Sequence, residues 1–300
     1  MTLLDEPTRT ATRTGTVTAT PLRSRRTLAG LPRHLVLLLL CGVWTVPIVG
    51  LLVSSFRSAY EISTTGWWRA SPATMNPDNY VQVLSRNGIG NALANSALIA
   101  VPTVCAIVMV GAVTAFALAR FRFPGARAVT LVLLALLAVP VQMTLVPVLR
   151  LYNATGLTGT FLGIWLVHLG FALPFAVYLM RTFFAGLPDA LFEAAEIDGA
   201  STLTAFLRIA LPVSRPALAS VAIFQFIWVW NDLLIALIFL GGDPSVAPLT
   251  VAVSNLVSAS TGQGWHLLTA AAFVSMAVPM VLFVALQRYF VRGLLAGGGK

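Results

Sequence analysis

The chain has 300 residues, of which 58% are hydrophobic and only 10% are charged, with a formal net charge of +9 and a mean hydropathy of +0.87. Soluble proteins carry about 25% charged residues, so this composition excludes an ordinary soluble domain and indicates an integral membrane protein. The basic residues are not gathered into one patch with exposed aromatic residues, so nucleic acid is not a predicted partner. The alternation that a transmembrane barrel needs is absent, which predicts an all-α polytopic fold in a lipid bilayer.

Residues 1–33 are rich in threonine and arginine and have no apolar pattern, which predicts a mobile N-terminal tail. A secretory signal is the competing interpretation, but the apolar run that follows is long enough to cross a membrane and no A-x-A pattern closes it. A membrane domain is predicted over residues 34–293, with a C-terminal tail over 294–300. It contains six predicted spans, each crossing most or all of about 30 Å of hydrocarbon: residues 35–53, 92–119, 128–149, 158–180, 217–240 and 267–286.

The distribution of basic residues predicts the orientation of these spans. With the N-terminus inside, 15 of the 19 lysine and arginine residues fall on the cytoplasmic side. Only Arg57, Arg69, Arg86 and Arg150 fall outside. Because positive charge marks cytoplasmic loops, both termini are predicted to be cytoplasmic. The same holds for the long polar segment between the fourth and fifth spans, residues 181–216, which we call the polar break.

Local signals within the polar break predict two short helices joined by a turn. Asp198-Gly199 supplies a helix stop, with glycine at the position that can adopt a left-handed conformation. Ser201 can cap the second helix, and Pro212 is predicted to end it. The second helix carries one predicted apolar stripe at helical spacing, consisting of Leu203, Phe206, Leu207 and Ala210.

The first short helix combines small residues with acidic ones. Ala194 and Ala195 remove side-chain bulk, while Glu193, Glu196 and Asp198 add negative charge. This combination favours a helix that enters a groove on another protein. The alternative is an amphipathic pair lying on lipid headgroups, but such helices are usually rich in lysine and arginine.

The pattern Glu193-Ala194-Ala195, Gly199 and Ile209-x-Leu211-Pro212 resembles the cytoplasmic EAA loop of ABC-importer permeases, the membrane subunits of binding-protein-dependent transporters. Further motifs extend the resemblance over nearly the whole chain after the tail, and point to the carbohydrate-importer branch. They are Ser55-Phe56-Arg57, Asn79-Tyr80, Asn95-Ser96, Ala119-Arg120-Phe121, Ile197-Asp198-Gly199-Ala200, Trp230-Asn231-Asp232 and Tyr289-Phe290-Val291-Arg292-Gly293.

The resemblance implies that the helix before Gly199 is a coupling helix seated in a cleft of a separate ATPase. Glu193 would make the polar contact, Ala194 and Ala195 the close fit, and Gly199 the turn. Glu196 stands where the family more often has a basic residue. The residues implied in coupling are Glu193, Ala194, Ala195, Glu196, Asp198, Gly199, Ile209, Leu211 and Pro212.

The resemblance also implies the partners of the chain. They are a second permease subunit, an ATP-binding cassette ATPase dimer and an extracytoplasmic solute-binding protein. The chain has no GxxxxGK[ST] phosphate loop, so ATP and magnesium are expected on the ATPase, with no cofactor and no enzymatic activity in this chain. Cys41 and Cys105 lie in apolar runs without metal-ligand spacing, and no metal site is predicted.

A few polar residues within the predicted spans are candidates for the solute path. Asp232 is the acidic residue inside a span, and His168 falls at a similar depth, which gives the hypothesis that both face one cavity. The alternative for His168 is a packed histidine bonded to a backbone carbonyl. Hydrogen bonds to a hydroxyl-rich solute, or a flat face for a sugar ring, are predicted for a second set, although such residues also hold helices together: Gln142, Gln225, Trp228 and Asn231.

These features predict a permease that imports a sugar or related polyol by alternating access, driven by ATP hydrolysis on its partner. One alternative is a secondary transporter that uses Asp232 and His168 as proton carriers. Another is a membrane scaffold whose polar break recruits a cytoplasmic protein. Replacing Gly199 with proline, or Glu193 with lysine, is predicted to abolish uptake while the protein stays in the membrane.

Overall fold

The computed structural model describes residues 31–86, 88–259 and 264–298, so nearly all of the predicted N-terminal tail lies outside the described residues. The regular structure within these ranges is helical throughout, which confirms the predicted all-α class. The α-helices in chain order are α1 (Leu31–Ser55), α2 (Ala59–Thr64), α3 (Asp78–Ser85), α4 (Ile89–Arg120), α5 (Ala126–Leu137), α6 (Val141–Thr155), α7 (Phe161–Ala185), α8 (Ala190–Ile197), α9 (Thr202–Ala205), α10 (Leu211–Val213), α11 (Arg215–Trp230), α12 (Leu234–Leu240), α13 (Leu249–Ala259) and α14 (Trp265–Gly298).

Four of the described helices are long and apolar enough to cross a membrane: α1, α4, α7 and α14. They lie at the first, second, fourth and sixth predicted spans, although α14 continues to Gly298, into the predicted C-terminal tail. Two bent pairs also qualify, α5 with α6 at 105° and Thr202–Val213 with α11 at 74°. The described chain therefore has four spans by length and composition, or up to six if each bent pair is one span.

The chain divides into two compact units within α1. The first unit ends at Ile48 and contains the N-terminal part of α1. The second begins at Val49 and contains all of the packing described below.

Pro140 and Pro147 in the predicted span over residues 128–149 favour a kink or a packed helix face, and the structure has a bend of 105° that divides the span into two helices. Helix α5 ends at Leu137, and α6 begins at Val141 after an extended Pro140 with φ −62° and ψ 125°. Proline lacks an N–H donor and disfavours helical backbone at the preceding residue, which explains the bend at this point. Pro147, in contrast, lies inside α6 without interrupting it.

A continuous helix over residues 217–240 is a wrong prediction. Helix α11 ends at Trp230, and α12 begins at Leu234. The carboxylate of Asp232 accepts hydrogen bonds from the backbone N–H groups of Ile235 at 3.3 Å and Ala236 at 2.9 Å. Aspartate competes in this way for backbone donors and starts a new helix. The predicted fifth span is therefore divided into two helices at residues 231–233.

Helices α4 and α7 pack along each other and carry much of the core. A Cβ added at Gly111 of α4 would stand 3.4 Å from Ala176 Cβ of α7, so a small residue lets the two backbones approach. One core cluster joins these helices to the polar break and includes Met180, Phe206 and Ala210. We call it the break-side core. A second cluster, the distal core, contains residues of α4, α6 and α7 and of every helix from α11 through α14.

Side-chain amides tie the helix ends of the second unit together. Asn79 Nδ2 donates hydrogen bonds to the carbonyls of Ser55 and Arg57, both at 2.9 Å. Asn95 Nδ2 donates to Ser245 O at 3.0 Å, which joins α4 to the segment before α13. Two of the motifs noted in the sequence, Asn79-Tyr80 and Asn95-Ser96, thus stabilise the packing of this chain through hydrogen bonds.

Candidate functional site

Helix α8 ends in a left-handed turn at Gly199, as the sequence predicts. Gly199 has φ +74°, and its N–H donates to Glu196 O at 3.0 Å while Ala200 N–H donates to Ala195 O at 2.9 Å. These two bonds form the Schellman motif that closes a helix C-terminus. Nothing lies within 4 Å of the position that a Cβ would take. Glycine is therefore required here by the backbone conformation and not by crowding.

The second helical segment of the polar break begins at its predicted cap. Ser201 Oγ accepts a hydrogen bond from Thr204 N–H at 3.2 Å. The segment runs through α9, a π-helical turn over Phe206–Ala210 and α10, so that it ends at Val213. The end at Val213 lies one residue after Pro212, which agrees with the predicted stop at this proline.

The predicted apolar stripe of this segment is wrong in part. Phe206 and Ala210 are buried in the break-side core, but Leu203 is 64% exposed and Leu207 is 51% exposed. The buried face is centred on Ala205, Phe206 and Ala210 instead, since the π-helical turn changes the helical phase. The two leucines are consequently exposed apolar side chains of the polar break.

Helix α8 presents its acidic side outward and one alanine inward. Glu193, Ala194 and Glu196 are exposed, as are Asp198 and Gly199 at its end. Ala195 is buried within this chain, which leaves Ala194 as the alanine that a partner can reach. The three later residues of the predicted motif are half-buried, and so also serve the packing of their own segment: Ile209, Leu211 and Pro212.

Arg120, at the end of α4, holds the start of the polar break in place. Its Nη2 donates to Leu187 O at 2.8 Å and to Phe184 O at 3.2 Å, while Nη1 bonds to the carboxylate of Asp189. The guanidinium carbon lies 3.9 Å from the centre of the Phe192 ring, a cation–π contact. The sequence places Arg120 in the motif Ala119-Arg120-Phe121 but predicts no role for its side chain. Asp189 is 69 positions away, and no local spacing signals the pairing.

Aromatic rings fill the space beneath α8. Phe116 lies between 4.9 and 6.2 Å, centroid to centroid, from Phe121, Phe184, Phe192 and Phe206. A cavity of about 430 Å³ opens beside this cluster, and Arg120, Glu193 and Glu196 are among its lining residues. The polar break therefore combines an exposed acidic helix with a packed aromatic base.

The structure brings His168 and Asp232 together. His168 Nε2 lies 3.8 Å from Asp232 Oδ2, and the histidine is 1% exposed. The His168 ring meets the Trp228 ring edge-on, with centroids 5.3 Å apart. These three of the predicted path residues form one cluster at the interruption between α11 and α12, which we call the helix-break cluster.

The remaining path residues are distributed over different surfaces. Gln225 lines a cavity of about 260 Å³ between α7 and α11, together with Trp228 of the helix-break cluster. Asn231 lines a separate cavity of about 400 Å³ beside α13 and α14, and its Nδ2 donates to Ile227 O at 2.8 Å. Gln142 is exposed on α6 and lines neither of these two cavities. A role for these residues in solute passage stays a prediction.

Comparison with known proteins gives one family over most of the chain. The model of the family described as "Binding-protein-dependent transport system inner membrane component" matches residues 84–295. Its range includes the polar break, the helix-break cluster and the three cavities described above.

Individual relatives and one solved structure agree with this match. The osmoprotective compounds uptake permease protein GgtD of Synechocystis is 48% identical over 275 residues, which cover 90% of this chain and 92% of that protein. The trehalose transport system permease protein SugB of Mycobacterium tuberculosis is 33% identical, covering 87% and 94%. A crystal structure of a bacterial ABC transporter involved in import of the acidic polysaccharide alginate contains a chain of the same fold, with a TM-score of 0.75, 21% identity and coverage of 90% and 100%.

Proposed function

The chain belongs to the binding-protein-dependent transport family as an ABC-importer permease, and from this premise we propose that it carries a sugar or related polyol by alternating access. Relatives named for trehalose and for osmoprotective compounds support this solute class. The coupling role is supported by one observation: the residues of the EAA loop keep the family's spacing, and the acidic residues among them are exposed on α8. The relatives favour ATP-driven import over the ion-gradient alternative.

The proposed topology has six spans with both termini in the cytoplasm. The bent pair α5 and α6 would form the third span. Helix α11 with α12 would form the fifth, interrupted at Asp232, while Thr202–Val213 would stay in the cytoplasmic polar break. Interrupted helices are tolerated in a membrane where the freed backbone groups find partners. Here the Asp232 carboxylate bonds two backbone N–H groups, and Thr250 Oγ1 donates to Asp232 O at 2.6 Å.

The proposed assembly contains a second permease subunit, an ATPase dimer that holds ATP and magnesium, and an extracytoplasmic solute-binding protein. This chain would bind no cofactor of its own. Helix α8 would enter a cleft of the ATPase, with Glu193 as its polar contact and Ala194 as its close contact. Movement of α8 would reach the membrane helices through Arg120, which binds the start of the polar break to α4.

ATP dependence is the experiment that tests the function. Proteoliposomes with the complete transporter are expected to accumulate labelled trehalose only with ATP on the ATPase side, whether or not an ionophore is present. Vesicles that contain both permease subunits without the ATPase are expected to accumulate none. Uptake that persists without the ATPase and disappears with the ionophore would overturn the proposal in favour of an ion-driven carrier.

Loss of the Arg120 side chain is expected to reduce uptake about tenfold. Arg120→Ala removes the side-chain donor to Leu187 O, whereas Phe184 O keeps the N–H of Leu187 at 3.3 Å, and one polar group left unpaired costs about 1–3 kcal/mol. Arg120→Lys should recover only part of the loss, since lysine lacks the planar fork of arginine. The measurement is the initial rate of uptake per amount of permease in the membrane.

Asp189→Ala is the matched control for the ion pair. The Asp189 side chain is 82% exposed, and exposed ion pairs contribute about 0–1 kcal/mol. We therefore expect at most about a fivefold change in uptake, smaller than that of Arg120→Ala. Equal losses in the Asp189 and Arg120 variants would show that the ion pair, and not the pair of carbonyls, holds the polar break.

A further inference from the structure

The segment between α1 and α3 folds into a closed loop. Asn76 N–H donates to Phe56 O at 2.8 Å, so the end of the segment returns to its beginning. Asn79 of α3 strengthens this closure, because its Nδ2 donates to Arg57 O at 2.9 Å. We call residues 56–76 the outer loop, since the proposed topology places them at the outer face of the membrane.

A buried arginine fixes the shape of the outer loop. Arg57 is 3% exposed, and its Nη2 donates to Glu61 O at 2.9 Å and to Thr65 Oγ1, while its Nη1 donates to Thr65 O at 3.3 Å. These acceptors lie at the end of α2, and a positive charge is favourable near a helix C-terminus. The outer loop is therefore a preorganised structure and not an irregular connection.

Trp67 packs the outer loop against the last turns of α1. Gly50 is buried, and a Cβ at this position would stand 3.0 Å from the indole Nε1 of Trp67. Gly50 lies three residues before the end of the predicted span over residues 35–53, which is about 4.5 Å along the helix. The headgroup region is about 5–7.5 Å thick on each side of the hydrocarbon. The Trp67 ring therefore lies close to the boundary between hydrocarbon and headgroups.

Trp68 extends from the same turn with most of its side chain exposed. Its ring centroid is 6.0 Å from that of Trp67, so the two rings differ in depth by no more than this distance. The Trp68 ring also covers Gly66, where a Cβ would collide with the indole. Despite these contacts Trp68 is 72% exposed. Tryptophan is enriched where hydrocarbon meets headgroups, so an exposed indole at this depth is suited to lipid.

Two further side chains of the outer loop suit the same environment. Tyr60 is exposed, and tyrosine is enriched together with tryptophan at membrane surfaces. Arg69 follows Trp68 directly and is exposed, and no carboxylate in the described part of the chain forms an ion pair with it. A guanidinium matches the geometry of a phosphate group. Arg69 is therefore available to a phospholipid headgroup.

We propose that the outer loop is a lipid anchor on the outer leaflet, with the Trp68 ring among the upper acyl chains and the Arg69 guanidinium on lipid phosphate. The anchor fixes the depth of the outer end of α1 while other helices move during transport. A surface for a soluble partner is disfavoured, because the contact of Trp67 with Gly50 holds the loop against a membrane-crossing helix. The inference rests on the proposed topology but on neither the solute nor the ATPase.

The test measures quenching of Trp68 fluorescence in proteoliposomes that contain the complete transporter. Subtracting the signal of Trp68→Phe from that of wild type isolates this one residue. Lipids that carry bromine just below the headgroups are expected to quench the difference signal at least about twofold more than lipids with bromine near the bilayer centre. Iodide in the surrounding water should quench it little.

Gly50→Leu tests the contact that sets the depth of the outer loop. A side chain at position 50 displaces the Trp67 ring, so the preference of Trp68 for shallow bromine should be lost. Gly42→Leu is the matched control in α1, because no atom lies within 4 Å of a Cβ at position 42, and it should keep the preference. A preference retained in Gly50→Leu would overturn the role given to Trp67.

Two results would overturn the lipid anchor itself. One is quenching of wild-type Trp68 by iodide with no quenching by either brominated lipid. The other is protection from iodide that appears only when the solute-binding protein is added, which would assign this surface to that protein. Absence of solute uptake by vesicles in which the lipid quenching is intact would overturn the proposed function alone.

Discussion

Gly199→Pro is expected to abolish solute uptake while the permease remains in the membrane. Proline fixes φ near −65°, whereas this position has φ +74°, and proline also removes the N–H that bonds Glu196 O. A cost of about 3 kcal/mol corresponds to at least about a 100-fold loss in rate. Transport assays and membrane protein levels measured on the same vesicles will show whether coupling, and not insertion, is lost.

Gly199→Ala tests the conformational reason for this effect. A Cβ at position 199 meets no atom within 4 Å, so alanine brings only the cost of a left-handed backbone, about 1–2 kcal/mol. Its loss of uptake should therefore lie well short of that of the proline variant. Gly186→Ala is the matched control, since Gly186 lies in the same polar break with φ −86°. An alanine variant as inactive as the proline variant would point to a clash with the partner instead.

Glu193→Lys is expected to lower uptake roughly 30-fold or more, the equivalent of about 2 kcal/mol, by reversing a charge at the proposed contact with the ATPase. Glu193 is exposed in the first turn of α8, where the helix dipole favours an acidic side chain by about 0.3–1 kcal/mol. The substitution thus acts both on the helix start and on the partner surface. Co-purification of the ATPase with the permease measures the contact directly.

Two further substitutions on α8 distinguish the effect of the charge of Glu193 from the effect of its position. Glu193→Gln keeps the size of the side chain, so a partial loss there isolates the contribution of charge. Glu196→Lys makes the same reversal one helical turn away, at an exposed position where the resembling family more often has a basic residue. It should keep uptake within about fivefold of wild type, since exposed charges contribute about 0–1 kcal/mol. Equal loss from both reversals would mean that the net acidity of α8, and not the position of Glu193, is recognised.

Features encoded by neighbouring residues were predictable from the sequence. Composition gave the all-α membrane class, and the turn at Gly199 and the cap at Ser201 stand where local chemistry places them. Proline chemistry allowed for the bend at Pro140, but hydropathy did not show the interruption at Asp232, because an apolar window averages over the single residue that interrupts a helix.

Contacts between distant parts of the chain were mostly out of reach of the sequence. Counting residues along two spans placed His168 and Asp232 at a similar depth, and the structure has them 3.8 Å apart. The contacts of Arg120 with Leu187 and Asp189 carry no such signal, since they depend on how α4 meets the polar break. The same reasoning grouped Gln142 with residues that lie on other surfaces.

The aromatic cluster around Phe116 has a mechanical consequence. Its rings lie in contact beneath α8, and the guanidinium of Arg120 covers one of them at 3.9 Å. Densely packed interiors have low compressibility. A displacement of α8 by about an ångström would therefore displace these rings and, through them, α4. The polar break would then move as a rigid body, and the size of the movement at the ATPase would determine the size of the movement of the membrane helices.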